Sequence, residues 1–139
     1  MGIALWIAVL GTQSKLLPEV ALFSDREVQC LARAIYHEAR GESVLGQHAV
    51  AKTIVNRLTA SGFPGTICDI VYQPHQFTGI RQLRVRDAKA YLLAKDIAYN
   101  VLSGAILPDF QGLYFHAKHV NPRWGKKRIA TIGSHVFYK

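Results

Sequence analysis

Glu38 is the residue of this 139-residue sequence with the clearest opening for chemistry. Counted at about 100° per residue, it falls about 20° from Leu31 on a helical wheel, at the edge of an apolar stripe. It also falls in the last turn of its helix, at the negative end of the dipole. Burial and the dipole both oppose the ionised carboxylate. A carboxylic acid that keeps its proton can give it to the leaving oxygen of a glycosidic bond. On the local sequence alone, a plainer reading is stronger: a surface Glu paired with a neighbouring Arg.

Other chemistries fare worse. His37-Glu38 invites a zinc-protease reading, but that motif needs a second His four residues on, and position 41 is Gly. His116 and His119 stand close together, while His48, His75 and His135 are scattered. Three or four convergent ligands are needed for a metal, so no metal site and no cofactor are expected. A Gly-rich phosphate loop and a nucleophile elbow are both missing. Cys30 and Cys68 are too few for a disulfide framework. Inside an amphipathic helix pattern a free Cys30 would act as a small buried hydrophobe. A single Cys30–Cys68 bridge stays open if the protein works outside the cytoplasm.

The elements that must position these residues begin at Ser24. Ser24-Asp-Arg-Glu27 reads as a capping box, with the Ser hydroxyl on the Glu27 amide and the Glu27 carboxylate returning to the Ser24 amide. Val28, Leu31, Ala32, Ile35 and Ala39 recur at helical spacing, so a helix is expected over 25–40, stopped by Gly41. A second helix is expected over 45–58, with Val50, Ile54 and Leu58 on one stripe. The segment from Ser61 to Gly65 breaks it, and a short apolar stretch over 67–72 leads into a loop over 73–79. A third helix is expected over 86–102, turning Ala90, Leu93, Ile97 and Val101 inward. Leu113 to His116 reads as a strand, and strands over 128–132 and 135–138 flank a Gly133-Ser134 hairpin turn. Helices followed by strands predict an α+β fold, mainly helical, with a small antiparallel sheet from the C-terminal third.

Seventeen Lys and Arg against nine acids give a formal charge of +8 and a pI near 9.8. Residues 110–139 hold no acid at all, yet carry Lys118, Arg123, Lys126, Lys127, Arg128 and Lys139. Such a field draws polyanions: nucleic acid, membrane lipid or an anionic cell envelope. Aromatics in the same tail could stack bases, but no recognisable nucleic-acid module frames them, and nucleic acid is not expected as a partner. Residues 1–23 form an N-terminal apolar segment whose apolar run, Met1 to Leu10, is too short to span a bilayer; the segment is read either as a core helix or as a signal or anchor remnant. Residues 24–139 form one domain, expected to be monomeric.

The stretch from Leu31 to Glu42, with Tyr36-His-Glu-Ala-Arg-Gly-Glu42 at its centre, resembles the SleB-type cell wall hydrolases, a family that includes spore-cortex-lytic enzymes and phage endolysins. The match continues through Gly46-Gln47, Val55-Asn56-Arg57, Phe63-Pro64 to Cys68 and Val71-Tyr-Gln73. It goes on through Gln76-Phe77, Tyr114-Phe-His116, Pro122 with Trp124, and Gly133 with His135-Val-Phe-Tyr138. The resemblance implies a lysozyme-like α+β fold that acts on peptidoglycan glycan strands at the cell wall, with Glu38 as catalytic acid. It also implies a saccharide groove lined by Gln76, Phe77, His116, Trp124, His135 and Tyr36. Glu42, Arg40, Asn56 and Arg57 would support it. The cut is expected to be that of a lytic transglycosylase, with hydrolytic muramidase as the close alternative and a non-catalytic binding module as a remoter one.

Overall fold

The structure, a computed structural model, describes residues 23–139. The two readings of the apolar start therefore lie outside the described residues, apart from Phe23, which packs on the core. Among the described residues, four α-helices precede the strands: α1 (Asp25–Ala39), α2 (Val44–Asn56), α3 (Ile67–Val71) and α4 (Ala88–Leu102). Three strands follow: β1 (Tyr114–Ala117), β2 (Arg128–Ile132) and β3 (His135–Tyr138). They make an antiparallel sheet in the order β1-β3-β2, so β3 is central.

Helix α1 is the hub because its apolar stripe is complete. Val28, Leu31, Ala32, Ile35, Tyr36 and Ala39 are all buried, and α2, α3 and α4 pack around them. Ser24 caps it as expected, its hydroxyl accepting from Glu27 N at 3.2 Å. The other half of the capping box does not form. Glu27 Oε2 instead accepts from Cys68 N at 3.2 Å, and so satisfies one free amide in the first turn of α3. Gly41 ends α1 with a φ of +86°, the left-handed conformation that a residue without Cβ adopts freely.

Cys30 and Cys68 are joined in a disulfide, both 5% exposed. The free-thiol reading of Cys30 is thereby corrected, since the packing of α3 on α1 brings the Cα atoms to 5.2 Å. Helix α4 starts at Ala88 behind the Asp87 cap, two residues later than expected. Its inward face is Ala94, Ile97, Ala98 and Val101, and Leu93 is 39% exposed. The buried face of this helix, which packs against α1 and α2, thus includes the small residues Ala94 and Ala98. The 67–72 stretch is a short helix capped by Thr66, and the Gly133-Ser134 turn joins β2 to β3 as read.

Candidate active site

A cleft of about 570 Å³ opens between the end of α1, the loop after α3, and the sheet. Glu38 stands on one wall, with Arg57, His75, Gln76 and Phe77 beside it. Strand β1 supplies Tyr114, Phe115 and His116, and the loop after it supplies Trp124 and Lys126. His135 enters from β3. Among the described residues, Glu38 is the one carboxylate lining this cleft. Its side chain is 22% exposed, and its Oε1 lies 3.0 Å from His37 Nδ1.

The loop carrying Gln76 and Phe77 is tied back to α1 by Arg33. Its guanidinium donates to Tyr72 Oη at 3.0 Å, to Ile80 O at 3.1 Å and to Leu83 O at 3.4 Å. Arg57, 3% exposed, lies deeper. It donates to Leu113 O at 2.7 Å and to Gln76 Oε1 at 3.2 Å, and sits over the rings of Phe63, Phe77 and Tyr114. Burial pushes its guanidinium down to about 10, so it stays cationic at neutral pH. Arg57 therefore joins the β1 wall to the loop wall, and holds the Gln76 amide in one orientation.

His116 is held at both ring nitrogens. Nδ1 donates to Ala117 O at 2.7 Å, and Nε2 shares a 2.7 Å hydrogen bond with Tyr138 Oη, whose hydroxyl donates to it when the ring is neutral. Trp124 packs edge-on against His116, Tyr114 and Tyr138. The result is an aromatic wall on one side of the cleft. Lys126 Nζ lies 3.9 Å from the centre of the Tyr114 ring at the same wall.

Glu42 does not line the cleft but reaches the hairpin that closes it. Its Oε1 accepts from Ser134 N at 2.6 Å and stands 3.6 Å from His135 Nδ1. Gly133, with φ +56°, makes room: a Cβ there would lie 2.7 Å from Glu42 Oε1. His135 is 6% exposed. Burial lowers its affinity for a proton below the usual imidazole range, against the opposing pull of the Glu42 and Glu38 carboxylates.

Of the residues expected to line the groove, Glu38, Gln76, Phe77, His116, Trp124 and His135 meet at the cleft. Tyr36 does not: it is 1% exposed, and its hydroxyl accepts from the Arg86 and Asp87 amides at 3.2 Å each, ahead of α4. Arg40 covers its ring at 4.4 Å. Asn56 donates to Phe110 O and Gly112 O, which sets the approach to β1. Arg57, expected as a support, lines the cleft itself. His75, Val120 and Lys126 are further wall residues that the sequence did not single out for this place. Lys126 was visible only as one charge in a basic run, and His75 carries a φ of +66° that no spacing announces.

A family model described as Cell Wall Hydrolase matches residues 41–138. The spore cortex-lytic enzyme of Bacillus cereus is 34% identical over 123 residues, 84% of this chain and 46% of that protein. The cell wall hydrolase CwlJ of Bacillus subtilis is 31% identical over 126 residues, 84% of this chain and 87% of that protein. The solved catalytic domain of the germination-specific lytic transglycosylase SleB from Bacillus anthracis superposes with a TM-score of 0.69 at 32% identity. That superposition covers 84% of this chain and 97% of the domain, and the fold is the lysozyme-like α+β arrangement expected. The chain spans less than half the length of the spore cortex-lytic relatives it matches.

Proposed function

The chain belongs to the cell wall hydrolase family, and on that premise we propose that it cuts the glycan strand of peptidoglycan, with Glu38 as general acid and base. The bond broken joins N-acetylmuramic acid to N-acetylglucosamine, and residues 24–139 form the catalytic unit. The enzyme acts at the cell wall, outside the reducing cytoplasm, where a disulfide such as Cys30–Cys68 persists.

The observation that carries this reading is that Glu38 is, among the described residues, the solitary carboxylate of the cleft. A hydrolase that follows the usual pattern needs two carboxyl groups flanking the bond, about 5–10 Å apart. The candidates for a second are Glu42 and Asp69. Glu42 is engaged by Ser134 N, and Asp69 is exposed in the first turn of α3; neither lines the cleft. A lyase needs no second group. Glu38 gives its proton to the glycosidic oxygen as the bond to C1 breaks. The resulting carboxylate then takes the proton of the muramyl 6-hydroxyl as that oxygen closes on C1. The leaving sugar departs with its hydroxyl restored, and the other product is a 1,6-anhydro sugar. Substrate supplies the nucleophile already in place, which removes the need to position a water.

Trp124, Tyr114 and His116 give the sugar rings an apolar face, and Gln76 offers an oriented amide. Mass spectrometry of digested peptidoglycan tests the chemistry. Muropeptides ending in 1,6-anhydromuramic acid, each one water lighter than a hydrolysis product, are expected. Reducing-end muramic acid carrying heavy oxygen from labelled water would overturn the lyase reading in favour of a muramidase. Glu38→Gln should fold normally and lose activity by roughly 100-fold or more, the usual contribution of a general acid. Full activity in that variant would refute the assignment of Glu38.

A further inference from the structure

We propose that His37 is a positioning residue for Glu38, and that its Nδ1–H decides which carboxyl oxygen of Glu38 carries the catalytic proton. This rests on the reading of Glu38 as general acid. The geometry is direct: His37 Nδ1 lies 3.0 Å from Glu38 Oε1, with both side chains 22% exposed. Neighbours on a helix point about 100° apart, so such a contact forms only if one side chain folds back toward the other. The other side of the ring faces the Gly79 turn. Its Nε2 lies 3.6 Å from the place a Cβ would occupy on Gly79, which turns with φ +84° at the end of the 73–79 loop. His37 thus stands between the Gly79 turn and the Glu38 carboxylate.

The consequence follows from counting protons. A protonated carboxyl group has one oxygen that donates and one that only accepts. If Nδ1 carries hydrogen, Oε1 accepts from it, and the acid proton belongs on Oε2. That oxygen is then free to serve the substrate. If Nδ1 were bare, the carboxyl proton would be drawn to the ring and withheld from the glycosidic oxygen. After transfer, the same N–H donates to the new carboxylate at Oε1, a charge-assisted bond. Oε2 remains ready to take the proton of the 6-hydroxyl. One fixed donor therefore serves both halves of the reaction without itself losing a proton.

The two ring nitrogens can be replaced separately. Asn places an amide N–H near the position of Nδ1, whereas Gln places one near Nε2, and Leu supplies neither. The full chain, wild type and with His37→Leu, His37→Gln, His37→Asn and Glu38→Gln, is assayed on purified peptidoglycan for kcat and KM, with thermal unfolding alongside. His37→Leu and His37→Gln should lower kcat by roughly 10- to 100-fold, the usual cost of a misplaced reacting group, with KM little changed. His37→Asn should recover most of that loss, and the three His37 variants should unfold where the wild type does. Wild-type kcat in His37→Leu, or Asn no better than Gln, would overturn the inference. A merely structural ring predicts the second pattern. Full activity in Glu38→Gln would instead overturn the assignment of Glu38 itself, whatever the His37 variants do. The two failures are therefore told apart in one series.

Discussion

Gly133→Ala attacks the cleft from the far side of Glu42. Gly133 has φ +56°, and a Cβ there would stand 2.7 Å from Glu42 Oε1. Placing Ala in the left-handed region costs roughly 1–2 kcal/mol. The carboxylate is the end of a flexible side chain and can swing away, but only by giving up its 2.6 Å bond from Ser134 N. A hydrogen bond to a charged group contributes about 1.5–3 kcal/mol. The two together cost roughly 3 kcal/mol, a fall of about 10 °C in Tm for a domain near this size. Glu42→Ala removes the collision, so in that background Gly133→Ala should cost only about 1–2 kcal/mol. The double-mutant cycle should then show a coupling of about 2 kcal/mol. Urea denaturation of the four proteins, followed by circular dichroism, measures it. Equal costs of Gly133→Ala with and without Glu42 would refute the account of this turn.

Three further outcomes are expected. Replacing both cysteines by Ala should cost roughly 4 kcal/mol, because the bridge closes a long loop in the unfolded chain, and denaturation with and without a thiol reductant checks this. Wall binding should weaken as salt rises, and Lys126→Met should raise KM more than Lys127→Met or Arg128→Met, since of the three only Lys126 lines the cleft. Binding indifferent to salt would leave these charges without a part in substrate capture. Burial lowers the proton affinity of both His135 and His48, so the unfolded chain binds protons that the folded chain refuses. Stability should therefore be level above about pH 6.5 and fall as the pH drops below it. His135→Asn should make that fall shallower in urea midpoints taken from about pH 7.5 to about pH 5, and an unchanged slope would count against a buried neutral imidazole.

The helices and the hairpin were legible because each is specified locally. Ser24 and Gly41 mark the two ends of α1, and Gly133-Ser134 marks the turn, through backbone demands that a sequence displays. What escaped was set by partners distant in sequence. Glu27 looked like half of a capping box, but Cys68 N competes for its carboxylate once α3 packs alongside. Leu93 fitted a helical stripe, yet Ala94 and Ala98 are buried while Leu93 is 39% exposed, because the helices that pack on α4 set which face turns inward. Tyr36 sits in the motif beside Glu38, but an aromatic two residues away on a helix points about 160° off and enters the core. Membership of a motif and membership of a cleft are different things, and only the rotation per residue tells them apart.

That distinction bears on how the site is built. Apart from the His116–Tyr138 contact within the sheet, the long polar contacts around the cleft start on α1, on the residues just after it, on the end of α2 or on the residue that follows it, and most end on backbone. Arg33 holds the 73–83 loop, Glu42 holds the hairpin amide of Ser134, and Asn56 and Arg57 hold the carbonyls leading into β1. Backbone groups left without a partner at the rim would have to be satisfied by water, and the wall segments would drift. Side chains anchored in the helical frame satisfy them instead, and fix the walls without filling the space between them with apolar groups. A glycan cleft requires that combination, because a sugar presents hydroxyls that must remain wet or be hydrogen-bonded on nearly every edge. The second glutamate of the motif belongs to this scaffold, whereas the first is left with one oxygen tied to His37 and its carboxyl facing open space. Two acids four residues apart are thus separated by the turn at Gly41 into a strut and the proposed reagent, and the difference in their partners is the physical ground for proposing Glu38 as the acid.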